Sequence, residues 1–309
     1  MKDYEPVMTF DETNAPLYDG LAVRGDEDAT VAFLADLAGD GPALELAIGT
    51  GRIALPLAAT GVRVDGVDLS EPMVAQLRAK PGGADIDVTI GDMTEVDLAR
   101  RYRLVYVVFN SFFNVLSQDA QVRCFENAAV HLEPGGTFVV EGGSTMAFLE
   151  RLTKGQYVQA EGIEVDAVRF DLLQLDPATQ VLVENHIRVT AEGVTFNPVV
   201  QRYAWPAELD LMARIAGLRL RERWSGWRRE RFGATSENVI SVYELPPLAA
   251  AHRRFVDDDE RVGAPVDHAR RPRRVEVVEG AQSGERGGLM GAEHEQHRPV
   301  RPGDGGETD

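Results

Sequence analysis

The chain has 309 residues, a formal net charge of −18 at pH 7 and one cysteine. An acidic surface repels nucleic-acid phosphates, and no Lys/Arg stripe with interleaved aromatic residues offsets that repulsion. A lone cysteine excludes an intrachain disulfide and a cysteine-rich metal site, so no metal is predicted. No run approaches the ~18 apolar residues of a membrane span, and the first residues lack an apolar core. We therefore expect a soluble, cytoplasmic protein that binds neither nucleic acid nor membrane.

Composition divides the chain into two parts. Residues 246–309 mix charge, Gly and Pro with almost no aromatic residues. Such a segment buries too little apolar surface to offset the entropy lost on ordering. We predict a folded body over residues 1–245 and a disordered tail over 246–309, and the sequence predicts no particular oligomeric state.

The first half of the chain alternates helix-like and strand-like segments. Helices are predicted at 27–38, 52–59, after the N-cap Ser70, and at 120–131. Strands are predicted at 43–48, 62–68, 86–90, 104–109 and 137–141, the last after a turn at 133–136. This alternation is typical of a Rossmann-like, doubly wound α/β fold with a mainly parallel sheet.

The pattern changes after Gly143. Strand-like runs between 165 and 205 are joined by turn-rich segments, which predicts an antiparallel β-sheet inserted as a lid over about 144–205. A helix at 206–216 and strands at 218–224 and 238–245 follow. We expect this terminal region, 206–245, to complete the main sheet with an antiparallel strand.

A glycine turn follows the first predicted strand, in the segment ALELAIGTG at 43–51. Gly49 and Gly51 let the backbone approach a ligand closely, where a side chain would intervene. The spacing Gly49-x-Gly51-x-x-Ala54 also satisfies the dinucleotide fingerprint. An NAD(P)-dependent oxidoreductase that uses the same loop is therefore one hypothesis.

The same segment resembles motif I of class I S-adenosylmethionine-dependent methyltransferases. Glu45 is the acid of that motif, and Ala47 stands where its first glycine usually lies. The resemblance covers roughly residues 16–245, with its best-matched motifs within 43–141, and implies S-adenosyl-L-methionine as cofactor. A non-catalytic binding protein with this fold is a further alternative.

Two later turns extend the resemblance. Asp68 ends the second strand, where the family's acid accepts both ribose hydroxyls, and the resemblance adds the adjacent Leu69 to the cofactor site. Asp92 and Met93 follow the next strand and are similar to the turn that contacts adenine. The resemblance also implies a cofactor role for Tyr18.

Asn110 follows the central strand at the position of the family's motif IV, beside the transferable methyl group. The resemblance thus makes it a candidate for both catalysis and cofactor binding. His186, Tyr203 and His131 are the candidate general bases, and His186 belongs to the predicted lid. We predict methyl transfer to a small-molecule acceptor, for which an amine is one candidate.

Overall fold

The computed structural model describes residues 4, 9–21, 24–144, 152 and 155–247. All of them belong to one compact unit, Met1–Val262. The predicted tail lies outside the described residues from position 248 onward.

Six α-helices are present in the described part of the chain: α1 (Tyr18–Leu21), α2 (Glu27–Ala38), α3 (Ala54–Ala59), α4 (Glu71–Arg78), α5 (Gln118–His131) and α6 (Pro206–Ile215). Short 3₁₀ helices lie at Ala15–Leu17, Gly83–Asp85 and Ser111–Asn114. Ser70 and Ser117 begin α4 and α5 as N-caps, because their side chains accept hydrogen bonds from the backbone N–H groups of Met73 and Ala120. None of these helices is long and apolar enough to cross a membrane.

The strands are β1 (Ala43–Leu46), β2 (Val64–Asp68), β3 (Asp87–Ile90), β4 (Tyr102–Val107), β5 (Leu132–Gly143), β6 (Gln156–Ile163), β7 (Ala167–Asp176), β8 (Val181–Thr190), β9 (Gly193–Arg202), β10 (Arg219–Trp224) and β11 (Asn238–Glu244). They form a seven-stranded sheet in the order β10-β11-β5-β4-β1-β2-β3 and a four-stranded sheet in the order β6-β7-β8-β9. In the large sheet, β5 to β3 pair in parallel, and β11 is antiparallel to β5 and β10. All pairs of the small sheet are antiparallel. The predicted fold class is confirmed.

Apolar side chains cover both faces of the large sheet. In β4, Leu104 and Tyr106 join the core on one face, whereas Val105 and Val107 join the core on the other. The second core contains a run of edge-to-face aromatic contacts, in which Phe125 lies 5.4 Å from Phe112 and 5.1 Å from Phe138 between ring centroids. Burial on both faces explains why β4 is apolar throughout.

Three predictions of local structure were wrong in detail. The central strand ends at Val107, because Phe109 and Asn110 adopt left-handed φ angles of +60° and +63°. The predicted turn at 133–136 lies inside β5, where it shifts the register of pairing with β4. Strand β6 was missed because none of its residues is buried, which leaves little hydrophobic signal.

Candidate functional site

A cleft opens at the carboxyl ends of the parallel strands. It holds about 640 Å³ of empty space, part of it open to solvent. Its wall comes from the N-terminal segment and from the turns after β1, β2, β3 and β4. The described residues that line it are Phe10, Tyr18, Ala47, Gly49, Val67, Asp68, Leu69, Ser70, Met73, Gly91, Met93, Ser111 and Asn114.

The turn after β1 is held in left-handed backbone conformations. Ala47, Gly49 and Gly51 have φ angles of +57°, +57° and +73°, which glycine adopts readily and alanine only with strain. A Cβ atom on Gly49 would lie 3.3 Å from Cε of Met73, and one on Gly51 would lie 2.8 Å from Cδ1 of Leu77. The turn therefore requires glycine both for its conformation and for the packing against α4.

Asp68 joins this turn to the start of α4. Its Oδ2 accepts a hydrogen bond from the N–H of Gly49 at 2.7 Å, and its Oδ1 accepts one from the N–H of Ser70 at 2.7 Å. Burial raises the pKa of Asp68 above its ordinary value, and these backbone donors oppose the rise. A carboxylate has about four acceptor positions, and the backbone of Leu69 is a further donor to Asp68, so acceptor capacity remains for a ligand in the cleft.

The turn after β3 lines the cleft through the residues on either side of Asp92. Gly91 and Met93 lie in the cleft wall, and Asp92 does not. Oδ1 of Asp92 accepts a hydrogen bond from the N–H of Thr94 at 2.8 Å, which closes the turn. Across the cleft, Leu69 is 54% exposed, so Leu69 and Met93 offer apolar surface to a ring.

Glu45 lies behind the cleft wall. Only 3% of it is exposed, and the hydroxyl of Tyr106 donates to its Oε2 at 3.0 Å. Burial raises the pKa of Glu45 to about 8, against the opposing influence of the Tyr106 hydrogen bond and of the Arg52 charge. With this pKa, the carboxyl of Glu45 is largely protonated at neutral pH.

Two arginines missing from the sequence prediction surround Phe109. The guanidinium carbons of Arg52 and Arg24 lie 4.2 Å and 5.2 Å from the centre of that ring. Arg52 pairs with Glu27 at 2.9 Å. Tyr18, whose ring meets Phe109 edge-on at 6.3 Å, has a pKa that burial raises to about 12. Tyr18 lines the cleft, so this cluster of aromatic rings and carboxylate-paired arginines lies beside the cleft. No local sequence pattern marks the cluster.

Asn110 ties the loop after β4 to the end of β5 and does not itself line the cleft. Its Oδ1 accepts a hydrogen bond from the N–H of Gly143, and its neighbours Ser111 and Asn114 reach the cleft. Gln201 of β9 donates through Nε2 to Oδ1 of Asn114 at 3.2 Å. This contact joins the small sheet to the cleft wall.

The three candidate bases have different environments. His131 is 3% exposed, and both its ring nitrogens are bonded to backbone, Nδ1 to the Asn127 carbonyl at 2.8 Å and Nε2 to the Leu98 N–H at 2.9 Å. Tyr203 is buried in an apolar cluster. His186 lies in β8 of the small sheet, and its Nδ1 donates to Oδ1 of Asp171 at 2.7 Å. That hydrogen bond raises the pKa of His186. When the ring is neutral and Nδ1 carries the proton, Nε2 is the acceptor.

Comparisons with known proteins agree with this architecture. A family model described as a methyltransferase domain matches residues 43–136. The CcbJ methyltransferase from Streptomyces caelestis is 38% identical, with a TM-score of 0.73 over 79% of this chain and 100% of that chain.

More distant proteins extend the comparison. The cypemycin N-terminal methyltransferase of a Streptomyces species is 28% identical over 65% of this chain and 82% of its own length. The SAM-bound structure of CalS10, an amino pentose methyltransferase from Micromonospora echinaspora, shares the fold at 22% identity, with a TM-score of 0.57 over 75% of this chain and 96% of its own.

These matches confirm the methyltransferase interpretation over the nicotinamide-dependent alternative, and S-adenosylmethionine is the cofactor. The chain belongs to the class I S-adenosylmethionine-dependent methyltransferases.

Proposed function

We propose that the protein transfers a methyl group to the nitrogen of a small-molecule amine. The observation that carries this proposal is the hydrogen-bonded pair of His186 and Asp171, which presents Nε2 as a proton acceptor on the sheet that adjoins the cleft. An amine arrives protonated at neutral pH and must lose a proton before its nitrogen becomes a nucleophile. The relatives named as an N-terminal methyltransferase and as an amino pentose methyltransferase support an amine acceptor.

The cleft suits each part of S-adenosylmethionine. We assign Asp68 to the ribose hydroxyls, and Leu69 and Met93 to the faces of the adenine. Ala47, Gly49 and Gly51 bring the backbone of the turn close to the cofactor.

The amino-acid end of the cofactor lies, in our proposal, beside Tyr18 and Arg52. The guanidinium of Arg52 suits the cofactor's carboxylate. Glu45, Asp92 and Asn110 hold the strands and loops behind these contacts, through hydrogen bonds to Tyr106, Thr94 and Gly143 respectively.

When bound, the cofactor supplies an electrophilic methyl carbon, to which the acceptor nitrogen bonds as the carbon–sulfur bond breaks and its electron pair returns to sulfur. The protein's task is to align the acceptor and exclude water. We assign this task to the small sheet, within the proposed lid of about 144–205, because Gln201 ties that sheet to Asn114 in the cleft wall. The residue that receives the acceptor's proton is His186.

The test is release of S-adenosylhomocysteine from S-adenosylmethionine with a panel of matched acceptors. The panel pairs D-glucosamine with D-glucose, and a short peptide bearing a free N-terminus with its N-acetylated form. We expect turnover only with members that carry a free amine, and a mass increase of one methyl group on nitrogen. Turnover of the hydroxyl or acetylated members at equal rates would contradict the proposal.

A further inference from the structure

One face of the small sheet carries a row of polar side chains. In the strand register, Asp171 of β7 lies opposite His186 of β8, which lies opposite Asn197 of β9. Glu184 precedes His186 by two residues on the same strand and therefore shares its face. One oxygen of Glu184, one of Asp171 and a ring nitrogen of His186 lie within 4.8 Å of one another.

This face is the one that reaches the cleft. In β9, Val199 is the partner of Glu184, and Gln201 follows Val199 by two residues. Glu184 therefore lies roughly 7 Å from Gln201 along the strand direction. Gln201 in turn contacts Asn114 in the cleft wall. A small acceptor that extends from the cleft over this face meets Glu184 and then His186.

Two acceptor groups in the row are unmatched by donors. The carboxylate of Glu184 makes no hydrogen bond or ion pair with any residue that the structure describes, although burial raises its pKa. Oδ1 of Asn197 is buried and, within the described part of the chain, has no hydrogen-bond partner. Partly buried oxygens without donors are unfavourable, so their presence indicates a ligand that brings N–H groups.

The count of acceptors matches one chemical group. Glu184, Asn197 Oδ1 and His186 Nε2 are three acceptors, and a primary ammonium has three N–H donors and a positive charge. Because Asp171 already holds Nδ1 of His186, the row is organised by its own hydrogen bond before any ligand arrives.

Resting on the amine acceptor proposed above, we infer that Glu184 is the counter-ion that selects a cationic primary amine, with Asn197 as a second acceptor and Nε2 of His186 as the third. In this arrangement the N–H bond that points to His186 breaks, and its proton passes to Nε2 while the electron pair stays on the acceptor nitrogen. The imidazolium that forms is neutralised by Asp171. Asp171 is thus a positioning residue, and Glu184 determines specificity.

The kinetic test compares Glu184→Gln with Glu192→Gln, which removes the same charge from an exposed turn of the same sheet. With the amine that wild-type protein methylates best, we expect Glu184→Gln to raise the KM for the amine roughly 10- to 100-fold, the range for losing a charged hydrogen bond. The KM for S-adenosylmethionine should be unchanged, and Glu192→Gln should match wild type. An unchanged amine KM in Glu184→Gln would overturn the inference while leaving the amine acceptor in place.

A binding test does not depend on turnover. With the protein saturated by S-adenosylhomocysteine, propylammonium chloride should shift the ring NMR signals of His186, whereas sodium chloride at equal ionic strength should not. Glu184→Gln should abolish the shift, and equal shifts in both proteins would overturn the inference. Loss of methyl transfer on dialysis against EDTA, restored by a divalent cation, would instead assign the row to a metal.

Discussion

Oδ2 of Asp68 accepts a hydrogen bond from the backbone N–H of Gly49 at 2.7 Å. The acid that ends β2 therefore fixes the turn that ends its neighbour β1, and the two residues form adjacent parts of one cleft wall. Carboxyl ends of neighbouring parallel strands meet at one edge of a sheet, which is why residues from separate motifs converge there.

Substitution of Gly49 by alanine tests how closely the ligand approaches this turn. The change introduces strain at a φ of +57° and a Cβ atom 3.3 Å from Cε of Met73. We expect a loss of about 1–2 kcal/mol in the free energy of unfolding and at least a tenfold loss of S-adenosylhomocysteine affinity, about 1.4 kcal/mol. Calorimetric titration and thermal unfolding measure the two effects.

The matched control is Gly217→Ala, at a φ of +78° with no atom within 4 Å of the added Cβ. It should lose comparable stability and keep full affinity for S-adenosylhomocysteine. Equal affinity losses in the two variants would show that backbone strain, and not proximity to the ligand, is responsible.

Glu45→Gln tests the buried carboxyl behind the cleft. The pKa of Glu45 in the folded protein is about 8, above its pKa in the unfolded chain. Between these two pKa values the folded state binds more protons than the unfolded state. The stability of the wild-type protein therefore falls as pH rises across this range. Glutamine has no proton to lose and keeps an oxygen for the Tyr106 hydroxyl. We expect the variant to gain stability over wild type as pH rises from 5 to 8, by ~2–4 kcal/mol. Denaturant unfolding of the unliganded protein at both pH values measures it, and a pH-independent difference would contradict the assignment.

Arg52→Gln tests the assignment of Arg52 to the carboxylate of the cofactor. If Arg52 binds the carboxylate of the cofactor, its loss should weaken S-adenosylhomocysteine binding by ~1.5–3 kcal/mol. Binding of 5′-methylthioadenosine, which lacks the amino-acid part, should change little. Arg63→Gln, at a side chain that is 60% exposed, is the control. Equal losses for both ligands would place Arg52 elsewhere.

Phe125→Ala tests the aromatic core below the cleft. Phe125 is fully buried and contacts the rings of Phe112, Phe138 and Tyr243. Its truncation should lower the free energy of unfolding by ~3–5 kcal/mol, measured by urea titration. Val130→Ala, on the exposed side of the same helix at 53% exposure, should change it by less than about 1 kcal/mol.

Local signals explain which parts of the fold were predictable from sequence. Strand β4 is apolar throughout because both faces are covered, and the glycines after β1 mark a turn that other residues adopt only with strain. The small sheet was predicted from three of its strands, and β6 was missed because it has no buried residue to mark it.

The contacts that complete the site depend on residues far apart in the chain. Gln201 donates a hydrogen bond to Asn114, which lies 87 positions earlier in the chain. No sequence pattern indicates that Arg24 and Arg52 lie over the ring of Phe109. Likewise, Ser70 was recognised as an N-cap, but its hydroxyl also donates to the carbonyl of Phe10 at 2.6 Å and ties the N-terminal segment to the cleft. Such pairings follow from the folded arrangement alone.

The most direct measurement is calorimetric titration of S-adenosylhomocysteine into wild type, Asp68→Ala and Asp65→Ala. Asp65 lies on the same strand but bonds to Arg100 and Tyr102, away from the cleft wall. We predict that Asp68→Ala weakens binding by ~1–3 kcal/mol and that folded Asp65→Ala binds as wild type does. Undiminished affinity in a folded Asp68→Ala protein would contradict the account.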